Sequence, residues 1–472
     1  MTRSKERPRL VFVCQDCGYE SSKWMGFCPA PSCRSGQPLV ETSPPRSRST
    51  DSPWMAAYTE PIQELAHLDA NSWPRVELPG QELNRVLGGG IVAGSVVLLA
   101  GEPGVGKSTL LLQIAQHISS NGQTVLYVSG EESPQQIKLR SERLGFPGKG
   151  IFVLSETDVD VVIDKLEESK PALAIVDSIQ TLYSADVPSG PGSVVQIREA
   201  GLKLMRWAKA RHVPVFLAGH VTKDGSVAGP RVLEHMVDVV TYLEAQEFGT
   251  FRLLRSDKNR FGSTAEVGVF EMTGQGLVEV SDPSKVLLAE RYDGAVGAAL
   301  VPVLEGSRPL LLEVQALTSP SHLPAPRRVA NGVDYNRLLM LTAVAGRRAG
   351  LDLSGQDIIV NVAGGMKVSE PAADLAVVLA IASSLHNRPL DSKMVALGEV
   401  GLSGEVRSVP QVQRRLQEAL RLGLARSILP ETASGDGLRL PELELVFVRT
   451  LRQAIRAALG SPKGSQEMSA AE

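Results

Sequence analysis

Between residues 95 and 280, short apolar runs alternate with longer amphipathic stretches. The apolar runs read SVVLLA, TVLYVS, IFVLS, ALAIVDS and VPVFLAG. The stretches between them include SPQQIKLRSERLG and VVQIREAGLKLMRWAKARH, in which apolar residues recur at the spacing of one helix face. Continuous apolar strands separated by such helices are typical of a parallel sheet with both faces covered. We therefore predict an α/β fold for this region.

Three further strand-like segments close the region: VVTYLEA, TFRLLRSDK and EVGVFEMTG. No helical stretch separates them, which predicts an antiparallel extension of the sheet. The segment SDKNRFGST at 256–264 lies at one of the expected turns and carries Lys258 and Arg260. Beyond SDPSK at 281–285, strands such as PLLLEVQAL and helices such as AADLAVVLAIASSLHN predict a second α/β domain that ends near residue 460.

The composition is that of an ordinary globular protein. Of 472 residues, 43% are hydrophobic and 21% charged, with 49 Lys and Arg against 52 Asp and Glu. Because the charge is nearly balanced, any nucleic-acid surface must be local. The aromatic fraction of 4% argues against base stacking as the main binding device. No stretch suits a membrane span or a secretory signal, so we expect a cytoplasmic protein without membrane contact.

All four cysteines lie within the first 33 residues: Cys14, Cys17, Cys28 and Cys33. Their spacing is C-x2-C followed by C-x4-C, with Gly18 and Pro29 at tight turns that direct thiolates inward. In a reducing compartment this clustering indicates a metal rather than disulfides. Four thiolates suit a structural Zn²⁺ with no open position for catalysis. The Ser-, Pro- and Arg-rich segment that follows is expected to be a flexible linker.

The segment GEPGVGKST follows the first apolar run and precedes an amphipathic helix. Its pattern, G-x4-G-K-S, is that of a phosphate-binding loop, in which backbone N–H groups and the helix dipole stabilise phosphates. Lys107 is expected to reach the β- and γ-phosphates of ATP, and the Ser108 hydroxyl to bind Mg²⁺. The predicted nucleotide contacts are Gly101, Glu102, Pro103, Gly104, Val105, Gly106, Lys107, Ser108 and Thr109.

Residues at the ends of other strands can complete a hydrolytic site. Asp177 ends ALAIVD and is suited to hold Mg²⁺ through water. Glu131 and Glu132 follow the strand after the phosphate-loop helix, and we predict that Glu131 orients the attacking water. His220 ends VFLAGH and could sense the γ-phosphate. A strand-end histidine that is merely hydrogen-bonded is an equal alternative.

Together these motifs resemble the bacterial RadA (Sms) family of DNA-repair proteins. The resemblance runs from Cys14 to about residue 460 and rests on GEPGVGKST, YVSGEES, VDSIQT, GHVTKDGSVAGPRVLEHMVD and DKNRFGS, of which KNRFG is the most specific. It implies a RecA-like ATPase core in a hexameric ring, with single-stranded DNA in the channel. It also implies branch migration on branched DNA and the RecA recombinase as a partner. The wider second cysteine pair, CPAPSC, departs from the family's C-x2-C but keeps four ligands.

The basic residues of the KNRFG segment are expected to act between subunits. In a ring, Lys258 and Arg260 can face the nucleotide of the neighbouring subunit, where a cation stabilises transition-state charge as an arginine finger does. Phe261 and Gly262 are expected to anchor the turn and to let it bend sharply. A solvated turn without function is the alternative, and a direct grip on DNA is compatible with the finger.

A second basic segment, TKDGSVAGPR, follows His220 at the place of the channel loop of RecA-like proteins. Its glycines predict mobility, and Lys223 and Arg231 are expected to contact DNA phosphates in a salt-sensitive way. An ordinary flexible surface loop is the alternative.

The C-terminal region resembles the proteolytic domain of Lon, which uses a Ser–Lys pair. The segment VSEPAADLAVV places Ala372 at the nucleophile position, and the residue at the lysine position is Gln413. Without a hydroxyl or an amine, no nucleophile can be formed or activated, and Ser369 lies three residues early. The resemblance therefore implies a non-proteolytic scaffold that binds DNA. Its candidate phosphate contacts are Arg327, Arg328, Arg347, Arg348, Lys367, Arg414 and Arg415.

The predicted fold class is α/β, with a RecA-like P-loop ATPase core, a small N-terminal zinc-binding module and a C-terminal Lon-protease-like domain. The predicted segments are a C4 zinc finger at 10–40, a linker at 41–75, the ATPase domain at 76–282, the Lon-like domain at 283–460 and a disordered tail at 461–472. The leading hypothesis is a DNA-dependent ATPase of helicase type that uses ATP, Mg²⁺ and Zn²⁺. An ATP-dependent protease, disfavoured by Ala372 and Gln413, and a non-motor ATP switch are the alternatives.

Overall fold

The computed structural model describes residues 11–14, 19–30, 33, 38–42, 64–67, 75–221, 232–246, 250–289, 291–435, 438 and 440–460. The chain divides into two compact units. The first comprises Met1–Ala245 and Phe251–Ser281, and the second Gln246–Thr250 and Asp282–Glu472. Every helix in the described ranges is too short or too polar to cross a membrane.

A small antiparallel sheet forms the N-terminal module. Its strands are β1 (Val11–Val13), β2 (Glu20–Ser21) and β3 (Val40–Thr42), in the order β2-β1-β3. Cys14, Cys28 and Leu39 are its buried core. A module of this size buries little apolar surface, so a metal held by its cysteines is the expected source of its stability.

The centre of the first unit is a nine-stranded sheet, preceded by a short antiparallel pair of strands, β4 (Arg75–Val76) and β5 (Ile91–Val92). The nine strands are β6 (Val96–Gly101), β7 (Val125–Ser129), β8 (Ile151–Ser155), β9 (Leu173–Asp177), β10 (Val215–His220), β11 (Val239–Ala245), β12 (Phe251–Asn259), β13 (Val267–Thr273) and β14 (Gly276–Glu279). Their order is β14-β13-β12-β11-β6-β10-β9-β7-β8. Six neighbouring strands in this order pair in parallel, as the continuous apolar runs predict: β11, β6, β10, β9, β7 and β8.

Helices cover both faces of the parallel strands. They are α2 (Lys107–Ser120), α3 (Pro134–Arg143), α4 (Val159–Ser169) and α5 (Val194–Arg211), whereas α1 (Gln81–Leu87) packs against the antiparallel strands β12 and β13. Successive side chains of β6 point to opposite faces, so Val97 and Leu99 join a core with α2, and Val96 and Leu98 join a core with α4 and α5. Both faces are therefore apolar, which explains why the strand sequences do not alternate.

The edge beyond β6 differs from the sequence prediction in two respects. β11 pairs in parallel with β6, so the antiparallel extension begins with β12. Lys258 lies within β12 and not in a turn, because pairing with β11 continues to Asn259, opposite Val239. Arg260 follows directly after the strand, at the start of the turn.

A seven-stranded mixed sheet forms the second unit. Its strands are β15 (Ala298–Glu305), β16 (Arg308–Pro320), β17 (Arg328–Asn331), β18 (Gln356–Val362), β19 (Met394–Ala396), β22 (Arg426–Pro430) and β23 (Glu444–Val448), and a separate hairpin consists of β20 (Glu399–Val400) and β21 (Val406–Arg407). The strand order in the sheet is β17-β18-β16-β15-β19-β22-β23. Its helices are α6 (Pro283–Leu288), α7 (Tyr335–Val344), α8 (Asp374–Leu385), α9 (Val412–Arg421) and α10 (Leu451–Leu459). Almost all of α8 is buried, which accounts for its nearly continuous apolar sequence.

Candidate active site

The phosphate loop joins the buried strand β6 to helix α2, which begins at Lys107. Gly104 and Gly106 have φ angles of 78° and 117°, in the left-handed region that favours glycine. This conformation suits a loop whose N–H groups gather at a helix N-terminus, where the dipole stabilises anions. The local geometry therefore fits the phosphates of a nucleotide.

The amine of Lys107 lies inside this loop. Only 3% of the residue is exposed, and Nζ donates to the carbonyls of Gly101 and Glu102, each at 2.9 Å. Burial lowers the pKa of Lys107, and the charges of Asp177 and Glu131 oppose that shift. A largely desolvated ammonium near two carboxylates is suited to balance the negative charge of bound phosphates.

His220, at the end of β10, links this lysine to Glu131. Its Nδ1 lies 3.1 Å from Lys107 Nζ, and because an ammonium only donates, Nδ1 accepts and Nε2 carries the ring proton. Nε2 lies 3.4 Å from Glu131 Oε1. The Gln180 amide donates to the His220 carbonyl at 3.0 Å. The histidine predicted as a γ-phosphate sensor is thus in direct contact with two candidate catalytic groups.

The two adjacent glutamates have different partners. Glu131 accepts a hydrogen bond from Ser178 Oγ at 2.6 Å. Glu132 instead forms an ion pair with Arg140 of α3 at 2.5 Å. The geometry therefore favours Glu131 over Glu132 as the residue that orients water, and this role stays a prediction.

Asp177 ends β9 at the same edge of the sheet, opposite Ser129. Its Oδ2 accepts a hydrogen bond from Tyr127 Oη at 2.6 Å. Burial, reinforced by the Asp177 carboxylate, raises the pKa of Tyr127 well above its ordinary value. Sequence reasoning missed Tyr127 and Ser178, because neither a tyrosine within an apolar strand nor a serine after an aspartate is a distinctive signal.

The oxygen atoms at this edge fit Mg²⁺. The Ser108 hydroxyl lies in the first turn of α2, and Asp177 lies close enough to Lys107 to influence its pKa. Hydroxyl, carboxylate and water oxygens are the ligands that Mg²⁺ prefers. Because parallel strands end together at this edge, residues from β6, β7, β9 and β10 can surround one nucleotide.

Lys258 and Arg260 lie toward the other end of the strands. Lys258 is opposite Val240 of β11, whereas Gly101 of the phosphate loop is opposite Leu243. At a rise of about 3.3 Å per residue, the two cations lie roughly 10 to 17 Å along the sheet from their own phosphate loop. They are therefore remote from the phosphate loop of their own chain.

Both cations contact the segment that precedes β11. Lys258 Nζ donates to the carbonyls of Glu234 and His235 at 2.8 and 3.2 Å. Arg260 Nη1 lies 3.2 Å from Oδ1 of the buried Asp238. Burial and the neighbouring Arg260 charge lower the pKa of Lys258. The Arg260 side chain nevertheless stays 52% exposed, so its guanidinium is accessible at the surface of the chain.

The other residues of the motif fix this turn to the end of α1. Asn259 Nδ2 donates to the Val86 carbonyl at 3.1 Å, and Phe261 packs against the core. A Cβ on Gly262 would stand 2.7 Å from the Gly88 Cα, so the glycine permits close approach of two backbones. Gly262 lies in a bend at 260–262 without a left-handed φ, so its part in letting the turn bend stays a prediction.

The opposite end of β12 contacts the phosphate loop of the same subunit. Arg252 Nε donates to the Val105 carbonyl at 3.2 Å. Nearby, the Gln113 side chain of α2 makes hydrogen bonds of 3.0 and 3.1 Å with the backbone of Leu277 in β14. The antiparallel extension thus braces the phosphate loop and also carries the KNRFG segment.

Three of the predicted zinc ligands lie within the described residues. The sulfurs of Cys14, Cys28 and Cys33 all lie within 4.8 Å of one another, and the Cys14 and Cys33 sulfurs are 3.8 Å apart. Cys17 lies outside the described residues. A gathered set of thiolates fits Zn²⁺, the metal expected from the sequence.

In the second unit, the Lon-like segment has a buried ion pair. Ala372 is buried in the helical turn Pro371–Ala373, and Gln413 is exposed on α9. Arg415 donates to both carboxylate oxygens of Glu370 at 2.6 and 2.7 Å and is only 1% exposed. The expectation that Arg415 contacts DNA is wrong, because its charge is already paired in the interior.

The other DNA-contact candidates divide into two groups. Lys223 and Arg231 lie outside the described residues. In the second unit, Arg328 is half-buried and donates to the carbonyls of Leu353 and Gln356. The remaining basic side chains are exposed: Arg327, Arg347, Arg348, Lys367 and Arg414.

The chain is similar to known proteins over most of its length. The AAA domain family matches residues 60–226, and the family named subunit ChlI of Mg-chelatase matches residues 340–433. DNA repair protein RadA of Bacillus subtilis (strain 168) is 47% identical over 96% of this chain and 99% of its own length. DNA repair protein RadA of Listeria monocytogenes is 45% identical over 97% of this chain and 99% of its own length.

Among solved structures, the KaiC-like protein PH0186 from Pyrococcus horikoshii OT3 is similar over 44% of this chain and 99% of its own, with a TM-score of 0.38 and 22% identity. The family matches and the two sheets confirm the predicted fold class. It comprises a RecA-like P-loop ATPase core, an N-terminal cysteine module suited to zinc and a Lon-like α/β domain.

Proposed function

This chain belongs to the DNA repair protein RadA family, and we propose that it is a DNA-dependent ATPase motor of helicase type that processes recombination intermediates. Family membership and the AAA match give the coarser function, an ATPase of DNA repair. The proposal adds branch migration on branched DNA and stimulation of strand transfer by a RecA recombinase in the cytoplasm. The observation that carries it is the gathering of Lys107, Asp177 and Glu131 at one sheet edge.

In the proposed hydrolysis, Ser108 and Asp177 would hold Mg²⁺, and this ion would neutralise charge that develops on the phosphates. Lys107 exchanges its two carbonyl partners for β- and γ-phosphate oxygens. Glu131, held by Ser178, orients the attacking water and accepts its proton. His220, in contact with Lys107 and Glu131, would sense the γ-phosphate through these two groups.

We place Lys258 and Arg260 against the nucleotide of the neighbouring subunit in a homo-hexameric ring. Their distance from their own phosphate loop and the exposure of Arg260 support this arrangement. A cation that reaches a neighbour's γ-phosphate accelerates hydrolysis by about 10³–10⁵. Negative-stain images with ATP and single-stranded DNA test the ring directly, and monomers under those conditions would contradict it.

Contact with single-stranded DNA is assigned to the segment after His220, through Lys223 and Arg231. The double variant Lys223→Ala, Arg231→Ala is expected to bind DNA more weakly and with a shallower salt dependence. The matched control removes two exposed lysines from α3 and α4, Lys138→Ala and Lys165→Ala. Unchanged DNA affinity in the first variant contradicts the assignment.

One experiment separates the motor from the alternatives. ATP hydrolysis is measured with and without single-stranded DNA, alongside casein degradation. We expect DNA to stimulate hydrolysis without proteolysis, because Ala372 and Gln413 supply neither a nucleophile nor an activating amine. Casein cleavage supports the protease, and hydrolysis indifferent to DNA supports a non-motor switch.

A further inference from the structure

A buried hydroxyl lies behind the candidate metal-binding carboxylate. Tyr127 belongs to the apolar core between the sheet and α2 and is 1% exposed. A phenylalanine ring would fill nearly the same core space without a polar group to satisfy. Burying a hydroxyl is unfavourable unless it finds a partner, and Tyr127 Oη donates to Asp177 Oδ2 at 2.6 Å. The hydroxyl therefore contributes a hydrogen bond to the Asp177 carboxylate and is not needed to fill the core.

The pairing of two strands makes this contact possible. In the parallel pair of β7 and β9, Tyr127 is opposite Ile175, and Ser129 is opposite Asp177. Tyr127 therefore lies two residues before the position opposite Asp177, on the same face of the sheet. Its side chain is long enough for Oη to reach Asp177 at the end of β9. The bond occupies Oδ2, and no donor among the described residues reaches Oδ1.

We propose that Tyr127 is a positioning residue: by donating to Oδ2, it fixes the orientation of the Asp177 carboxylate and leaves Oδ1 available to a Mg²⁺ ion that the site would hold. The inference rests on the proposed role of Asp177 in Mg²⁺ binding. Without the hydroxyl, the carboxylate is free to rotate toward the ammonium of Lys107, which already senses its charge. Hydrogen-bond partners of metal ligands typically contribute about 10- to 100-fold to metal affinity.

The test is Tyr127→Phe in the full chain, with binding of a fluorescent ADP analogue followed during a Mg²⁺ titration and again in EDTA. We expect the Mg²⁺ concentration at half-maximal response to rise about 10- to 100-fold. Nucleotide affinity in EDTA should equal that of the unmodified protein, because the phosphate loop is untouched. The Mg²⁺ requirement of ATP hydrolysis should shift in parallel.

The chain offers a matched control in Tyr242 of β11, whose Oη donates to Glu234 Oε1, also at 2.6 Å. Tyr242→Phe removes the same atom from the same kind of bond, but its carboxylate does not belong to the phosphate site. It should leave the Mg²⁺ midpoint unchanged. An equal shift in Tyr242→Phe, or an equal loss of affinity in EDTA for Tyr127→Phe, means a general structural effect and overturns the proposal.

Asp177→Asn separates failure of this inference from failure of its premise. If Asp177→Asn abolishes the Mg²⁺ response while Tyr127→Phe keeps the normal midpoint, the role of Tyr127 is refuted and that of Asp177 stands. If Asp177→Asn responds normally to Mg²⁺, the aspartate is not the metal-binding group, and the premise itself falls.

Discussion

Replacing Arg260 with alanine should stop ATP hydrolysis but leave the protein folded. In its own subunit the half-exposed guanidinium pairs with the buried Asp238 at 3.2 Å. Asp238 keeps two other partners, the Lys209 ammonium at 3.3 Å and the Val96 N–H at 3.1 Å. Loss of this half-exposed ion pair should therefore lower the free energy of unfolding by about 1 kcal/mol or less. An arginine finger that accelerates hydrolysis by about 10³–10⁵ lowers the activation free energy by roughly 4–7 kcal/mol. The small loss of folding stability therefore cannot account for the loss of activity.

The assay mixes two inactive proteins, Arg260→Ala and Lys107→Ala. In a ring, an Arg260→Ala subunit keeps its phosphate loop, and a Lys107→Ala neighbour supplies an intact finger. In an equal mixture about a quarter of the interfaces combine these two intact halves, so hydrolysis should recover to about a quarter of the normal rate per subunit. The matched control is Arg255→Ala on the same strand, whose cation pairs with Glu244 at 2.9 Å and which should keep near-normal activity.

Two results would refute the reasoning. The first is normal hydrolysis by Arg260→Ala alone in the presence of single-stranded DNA. The second is no recovery in mixtures whose subunits have been shown to exchange, since that places the arginine's action within its own subunit. Thermal unfolding of Arg260→Ala completes the test, because a large loss of stability would contradict the small value expected for its ion pair.

Three other changes test the remaining assignments. Glu131→Gln should keep ATP binding and lose turnover, whereas Glu132→Gln should retain turnover; the reverse pattern means that the other carboxylate orients the water. Cys28→Ala should lose zinc in metal analysis and keep basal ATP hydrolysis, and full zinc occupancy in that variant contradicts the ligand set. Arg415→Met should destabilise the full chain by about 3 kcal/mol in denaturant unfolding, because it leaves a partly buried carboxylate unpaired. Arg414→Met, an exposed change on the same helix, should be nearly neutral.

The sequence predicted the parallel sheet because its strands are buried on both faces and therefore appear as uninterrupted apolar runs. The phosphate loop was also recognisable, since glycines with left-handed φ precede the lysine that begins α2. These features are local, and their physical causes lie within a few neighbouring residues. A local pattern suffices to predict them.

What the sequence did not predict depends on partners distant along the chain. Lys258 lies within a strand because β11 pairs with it, and no nearby residue indicates where that pairing stops. The residues around Arg415 have the composition of a surface helix. The arginine is nevertheless buried, because its charge is paired with that of Glu370, 45 residues earlier in the chain. Tyr127 resembles any apolar strand residue until β9 brings Asp177 within reach of its hydroxyl.

Strand β12 connects the phosphate loop of its own chain with the KNRFG segment, which is proposed to act at the neighbouring nucleotide site. Arg252 near its start touches the phosphate loop of its own subunit, and Lys258 near its end belongs to the motif proposed to serve the neighbour. A paired strand of this length is stiff and extends over roughly 25 Å. In the proposed ring, a displacement of the phosphate loop would therefore be transmitted through β12 to the segment that faces the neighbouring nucleotide site.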